Sequence, residues 1–268
     1  ASPLLFWRAL AYLAVFHFIR QQRGWVAIYR ARARENLLLD CLLDDATIYA
    51  AAGVPLLVWH ATLPRNFVWF VPGDFVAATA LAPAVPWAER AYAVLLATFV
   101  LRQVWVAFTQ RRVNAGKILV VITTALAWWV GICATNSDLD FTATNVIIHG
   151  VPYLVLLWHY ARARREEAPG ILGSKVIALG VGAFFGAVVA LAFVEEMLWD
   201  RLVWHERSWL FGGGAALTLA AWLQAFVVPL LAVPQATHYA IDAFLWRRRD
   251  VTPAQTRALG FGAQPLRP

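Results

Sequence analysis

The chain has 268 residues, of which 61% are hydrophobic and only 15% are charged. A soluble domain carries roughly 25% charged residues, so this composition excludes a soluble enzyme, a disordered chain and a disulfide scaffold. The net charge of +7 is explained by arginines that flank membrane helices, and we expect no nucleic-acid partner. The sequence therefore predicts an all-α, polytopic integral membrane protein in contact with the lipid bilayer.

About 20 apolar residues are needed to cross the hydrocarbon core of a bilayer. By this criterion the sequence predicts a bundle of about seven transmembrane helices, at residues 3–19, 46–63, 87–108, 117–135, 144–160, 175–195 and 213–236. The apolar stretch 67–85 contains two prolines and a glycine, which favours an interfacial or re-entrant piece over a span. We expect residues 1–250 to form a single transmembrane domain and residues 251–268 a cytoplasmic C-terminal tail.

The basic residues of the loops alternate between the two sides of this predicted topology. Arginines are concentrated after the first, third, fifth and seventh segments, for example Arg23, Arg30, Arg111, Arg112, Arg162, Arg165, Arg247 and Arg248. The intervening loops contain few basic residues, so the positive-inside rule predicts a cytoplasmic C-terminus. The chain is rich in alanine and arginine and poor in lysine, a bias typical of many bacterial proteins, and we expect a location in the bacterial inner membrane.

Three predicted helix ends on the cytoplasmic side each carry two polar residues spaced four apart: His17 with Gln21, Asp40 with Asp44, and His238 with Asp242. Residues four apart share one face of a helix, so each pair would present two ligands at a similar depth. Imidazole and carboxylate together suit iron, manganese or zinc. The pattern predicts a metal site with the candidate ligands His17, Asp44, His159, His238 and Asp242.

Two further residues at membrane depth indicate a second candidate site for a cofactor. His149 is assigned to the far side of the membrane, and its neighbours Gly150 and Pro152 can open the helix locally. Arg102 lies well inside the third segment, where a guanidinium should face the protein interior and pair with a carboxylate or an anionic group. We therefore list His149 and Arg102 as candidate cofactor-binding residues.

Structural readings of the same residues remain open. Asp44 can stabilise the helix dipole at the start of the second segment, and His238 can hydrogen-bond to Asp242 within one helix. Three functions fit the sequence. The first is a metal-dependent oxidoreductase acting on a lipid or other apolar substrate. The second is a subunit that holds haem or a pigment among other membrane subunits, and the third is a proton-coupled transporter.

Overall fold

The computed structural model describes residues 3–165, 172–212 and 219–245. Within these ranges the regular structure is helical and contains no strand, which confirms the predicted all-α class. The chain divides into two compact units, Ala1–Val155 and Leu156–Pro268. The predicted domain end at residue 250 and the tail 251–268 lie outside the described residues.

The first unit is built from long helices joined by short connections. They are α1 (Pro3–Ala33), α2 (Leu38–Ala61), α3 (Val85–Gln110), α4 (Ala115–Trp128), α5 (Asp138–Asn145) and the beginning of α6 (Val151–Arg165). A 3₁₀ helix, Thr79–Ala84, leads directly into α3. Two π-helical turns interrupt the later part of this unit: Trp129–Ala134 follows α4, and Val146–Gly150 joins α5 to α6.

The second unit continues with the remaining part of α6. Its further helices are α7 (Leu172–Ala178), α8 (Val181–Trp199), α9 (Ser208–Phe211) and α10 (Ala221–Leu245). A third π-helical turn, Asp200–Trp204, follows α8. The buried Asp200 side chain accepts hydrogen bonds from the backbone N–H groups of Glu206 and Arg207, which fixes the loop that leaves this turn.

Six helical stretches among the described residues are long and apolar enough to cross a membrane. They are Pro3–Ala33, Leu38–Ala61, Thr79–Gln110, Ala115–Ala134, Asp138–Ala163 and Val181–Trp204. Six of the seven predicted segments are thereby found. The seventh, 213–236, overlaps α10, which contains Pro229 and Pro234 and is not among the six. Residues 213–218 of that segment lie outside the described part of the chain.

The first two helices are longer than the hydropathy pattern predicts. Helix α1 continues to Ala33, so arginines that the sequence assigned to a loop lie on the helix itself. Arginine is a good helix former, and a nearby carboxylate satisfies its charge. Here Arg23 and Arg30 both pair with Asp45 of α2, each with an N–O distance of 2.9 Å. Helix α2 correspondingly begins at Leu38 and not at residue 46.

The segment between α2 and the 3₁₀ helix lies outside the six candidate spans, whereas residues 79–85 of the predicted interfacial stretch 67–85 belong to the candidate span Thr79–Gln110. The segment is irregular, and it places Phe67 and Phe75 in an aromatic cluster with Trp59 and Phe141. Arg65 of this segment donates hydrogen bonds to the backbone carbonyls at the end of the π turn Trp129–Ala134. The segment thus covers one end of the first unit and satisfies backbone groups that a helix end leaves unpaired.

Candidate metal centre

His17 supplies the first imidazole of the candidate site. Its side chain is buried and only 4% exposed. The sequence predicted it at the end of the first helix, but it lies near the middle, because α1 extends as far as Ala33. Ring nitrogens at that position are shielded from water by the surrounding helices of the first unit.

His149 supplies a second imidazole from the π-helical turn Val146–Gly150. In this turn the N–H of Val151 donates to the carbonyl of Val146, five residues earlier. Pro152 follows directly, and proline has no N–H to donate to the carbonyl of Ile148 four residues before it. The local opening predicted from Gly150 and Pro152 is therefore present, and π turns of this kind occur frequently at functional sites.

The two imidazoles face each other within the first unit. The ring centroids of His17 and His149 are 5.1 Å apart, with an angle of 79° between the ring planes. Phe18 stacks on His149 at 3.8 Å, and Tyr153 lies nearly parallel to the same imidazole at 6.3 Å. Stacking uses the faces of the imidazole ring, whereas its nitrogens donate to a metal in the ring plane. These contacts orient His149 without occupying its ligand direction.

His17 and His149 have the spacing of two ligands of one metal ion, and they are called the histidine group below. One ring nitrogen of each lies within 4.8 Å of the other. Two ligands that bind one ion at ~2.1 Å are at most ~4.2 Å apart, so small rotations bring these nitrogens into range. The histidine group could hold a metal ion, and it includes one of the predicted ligands, His17. His238, another predicted ligand, lies on α10 of the second unit.

The assignment of His17 and His149 to opposite membrane sides is wrong, because the structure brings their rings together. The assignment relied on predicted helix ends. His17 is instead in the interior of α1, and His149 is in the interior of the helical stretch Asp138–Ala163. Two residues in the middle of neighbouring helices share a depth, whichever side each helix starts from.

Asp44, another predicted ligand, is bound to a lysine. Its carboxylate is completely buried and accepts a hydrogen bond of 3.1 Å from Lys117, which is itself only 2% exposed. Lys117 also donates to Glu35 at 2.8 Å. A buried carboxylate requires a positive partner, and α4 supplies it, so Asp44 lies outside the histidine group.

Arg102 also has a carboxylate partner. Its Nε and Nη2 donate to the two carboxylate oxygens of Asp40 at 2.7 and 3.0 Å, a bidentate pair between α3 and α2. This is one of the two kinds of partner expected for a guanidinium at membrane depth. The pair accounts for both charges without a cofactor.

The remaining predicted residues have other positions. His159 is exposed on α6 and is not a member of the histidine group. The side chain of Asp242 lies outside the described part of the structure. His60, near the end of α2, has its Nδ1 at 2.7 Å from the carbonyl of Leu56 and its Nε2 at 2.9 Å from the hydroxyl of Tyr12. A carbonyl only accepts, so Nδ1 carries the proton and the Tyr12 hydroxyl donates to Nε2.

Sequence reasoning did not find Gln22, which is buried beside the site. Its side-chain amide donates to the carbonyl of Ile148 at 2.8 Å, and its oxygen accepts from Thr124 of α4 at 3.2 Å. The signal available in the sequence was Pro152, whose missing N–H implies that another donor binds Ile148. Nothing in the sequence identifies Gln22 as that donor.

No family model matches the chain, and no curated protein or solved structure is detectably similar to it. The functional conclusion therefore depends on the helices and on the histidine group. The helices indicate an integral membrane protein, and the histidine group could hold a metal ion.

Proposed function

We propose that this integral membrane protein binds a transition-metal ion through His17 and His149, and that it is an oxidoreductase. The single observation that carries the proposal is the meeting of two imidazoles, with one ring nitrogen of each within 4.8 Å of the other. An ionisable group at membrane depth is expensive and is commonly functional. The two imidazoles come from separate helices of one compact unit, and the sequence pattern selected His17 independently.

The donor set favours iron among the predicted metals. Imidazole suits iron and zinc, whereas manganese prefers oxygen ligands, and no carboxylate of the described residues belongs to the group. Zinc has no redox chemistry, whereas iron changes its oxidation state, so iron suits a centre that itself transfers electrons. Two protein ligands would leave coordination positions open, and a metal with open positions would activate water or oxygen. His238 and Asp242, which are four residues apart on α10, stay predictions from the sequence pattern.

The surroundings favour a lipid or other apolar substrate. Phe18 contacts both His149 and Trp69, and His17 and His149 lie on helical stretches apolar enough to cross a membrane. A substrate dissolved in the bilayer would reach such helices without entering water. The role of the protein residues is then to hold the imidazoles, to exclude water and to orient an apolar molecule.

A subunit that holds haem or a pigment is the alternative from another class. A haem iron coordinated by two histidines requires the porphyrin plane to pass between the two imidazoles. That function predicts the intense visible absorption of a porphyrin or pigment, which a metal ion bound by imidazoles alone does not give. The transporter alternative gains no support from Arg102, because its guanidinium is paired with Asp40.

We propose further that α10 crosses the membrane as a seventh span and that the C-terminus is cytoplasmic, in a bacterial inner membrane. Helix α10 has 25 residues, which at 1.5 Å per residue is long enough to cross. Cysteine labelling from the outside should modify position 138, at the start of α5, and leave position 112, after α3, unmodified. The reverse pattern would invert the proposed orientation.

Metal analysis of the purified protein tests the metal centre. The unaltered chain, purified in detergent, should contain one metal ion per chain. His17→Ala and His149→Ala should each lower metal affinity at least about tenfold. His238→Ala tests the prediction from the sequence pattern that this histidine is also a ligand. His159→Ala is the matched control, since His159 is an exposed histidine outside the group, and it should retain the metal. Asp242→Asn should lower the affinity if this carboxylate is a ligand.

Three results would contradict the proposal. The first is an unaltered chain that takes up neither iron nor zinc under any loading condition. The second is the intense visible absorption of a porphyrin or pigment, which would establish the alternative function. The third is equal metal loss in His159→Ala and His17→Ala, which would indicate nonspecific binding by surface histidines.

A further inference from the structure

We infer that Gln22 is a positioning residue of the metal centre: its amide fixes the π turn that carries His149 against the helix that carries His17. This inference rests on the proposed function and extends it to a residue that binds no metal itself. Gln22 lies on α1 and is buried, with 4% of its surface exposed. A buried amide must form its hydrogen bonds within the protein, so its hydrogen-bond partners are the groups that it can hold in place.

The amide nitrogen of Gln22 donates to the carbonyl of Ile148 at 2.8 Å. Ile148 directly precedes His149 within the turn Val146–Gly150. In an α-helix that carbonyl would receive the N–H of residue 152, which is a proline and has none. Gln22 therefore supplies a donor from another helix at the place where the local helix lacks one.

The orientation of the Gln22 amide is set by the carbonyl of Ile148, which only accepts and therefore faces the NH₂ group. The hydroxyl of Thr124 on α4 lies 3.2 Å from Oε1 of Gln22, but its single proton is also directed to the carbonyl of Val120 at 2.7 Å, so the contact with Gln22 is the weaker one. The Gln22 amide thus contacts both the carbonyl of Ile148 and the side chain of Thr124. This arrangement ties three parts of the first unit together beside the two imidazoles.

The consequence for a metal is geometric. His17 lies five residues before Gln22 on the same helix, so the two move together. A metal centre requires its ligands to stay within about 0.5 Å of the productive geometry, and neighbouring hydrogen bonds provide that restraint. A π turn without the Gln22 bond would leave the carbonyl of Ile148 without this donor, and the turn carrying His149 would shift relative to His17.

Binding of Co²⁺ to the full-length protein in detergent tests this role, because its visible absorption bands report ligand geometry. Gln22→Met keeps the length of the side chain and removes the donor. Gln22→Asn keeps an amide but is one methylene too short to reach Ile148, and it serves if the methionine variant fails to fold. Both should weaken Co²⁺ binding about 10–100-fold and change the absorption bands.

Thr124→Val is the matched control for general packing. It removes the hydroxyl from the other end of the same amide and leaves the Gln22–Ile148 bond in place. It should lower the thermal midpoint of the metal-free protein about as much as Gln22→Met does, but retain the unaltered Co²⁺ affinity and spectrum. Equal loss of affinity in all three variants would mean that Gln22 acts only through packing, which overturns the inference.

The remaining outcomes separate this inference from the proposed function. If His149→Ala abolishes Co²⁺ binding while both Gln22 variants bind as the unaltered chain does, the metal centre stands and the role of Gln22 is refuted. If the unaltered chain itself binds no Co²⁺, the metal centre and the role of Gln22 are both refuted.

Discussion

Replacing Lys117 with methionine should destabilise the first unit strongly. Methionine has a similar length but no charge, so the completely buried carboxylate of Asp44 loses its hydrogen-bond partner. The nearest remaining cation in that cluster is Arg30, whose Nη1 lies 4.0 Å from Asp44. Removing one partner of a buried ion pair costs about 3–5 kcal/mol, because an uncompensated charge remains. For a domain of this size that loss lowers the unfolding midpoint by roughly 6–20 °C.

Thermal unfolding of the purified protein in detergent, followed by circular dichroism, measures this loss. Glu35→Gln is the control, because Glu35 contacts the same ammonium but is 27% exposed and should cost about 1 kcal/mol or less. The double variant Lys117→Met with Asp44→Leu should recover much of the stability, since an apolar pair leaves no buried charge. A Lys117→Met midpoint within the error of the Glu35→Gln midpoint would refute the claim that this pair is buried and tightly coupled.

Three further outcomes follow from the described contacts. Gly116→Ala should destabilise the protein by about 1–3 kcal/mol in thermal unfolding, because a Cβ there overlaps the ring of Tyr29. Gly24→Ala is the control: its Cβ meets nothing within 4 Å, so this variant should be neutral or stabilising. Arg102→Gln should cost about 1.5–3 kcal/mol by removing the bidentate pair, and a double-mutant cycle with Asp40→Asn should yield a coupling energy of similar size. Acidification should release the metal from the unaltered protein, because a protonated imidazole cannot bind it; metal retention measured by dialysis down to pH 4 checks this, and unchanged retention would argue against histidine ligands.

The local chemistry of His149 was predictable from the sequence. Gly150 and Pro152 follow it directly, and a proline withdraws the N–H that an α-helix would need. The wide turn at Val146–Gly150 is the result. What the turn contacts depends on the packing of α1 against it, and a buried glutamine has no sequence pattern that identifies its partner.

The sequence predicts which type of group neutralises a buried charge, but not which residue supplies that group. A guanidinium or carboxylate at membrane depth must be neutralised, and this rule leads to a partner for Arg102 and for Asp44. Which partner is chosen depends on the neighbouring helix. Asp40 is 62 residues from Arg102 in the chain, and Lys117 is 73 residues from Asp44, so helix packing alone joins them.

Composition and hydropathy by themselves determined the class of the protein and the approximate position of its membrane helices. The positions of membrane helices follow from transfer free energies summed along a sequence window, and this sum does not depend on which helices are neighbours in the fold. Only the tertiary structure decided that His17 and His149 meet. The hydropathy pattern predicts that a helix ends where charged residues begin. In the structure the arginines of α1 are paired with carboxylates, so the helix continues to Ala33. His17 therefore lies in the interior of the helix and not at its predicted end. Ligand depth therefore depended on ion pairs between helices, and these form only once the bundle is packed.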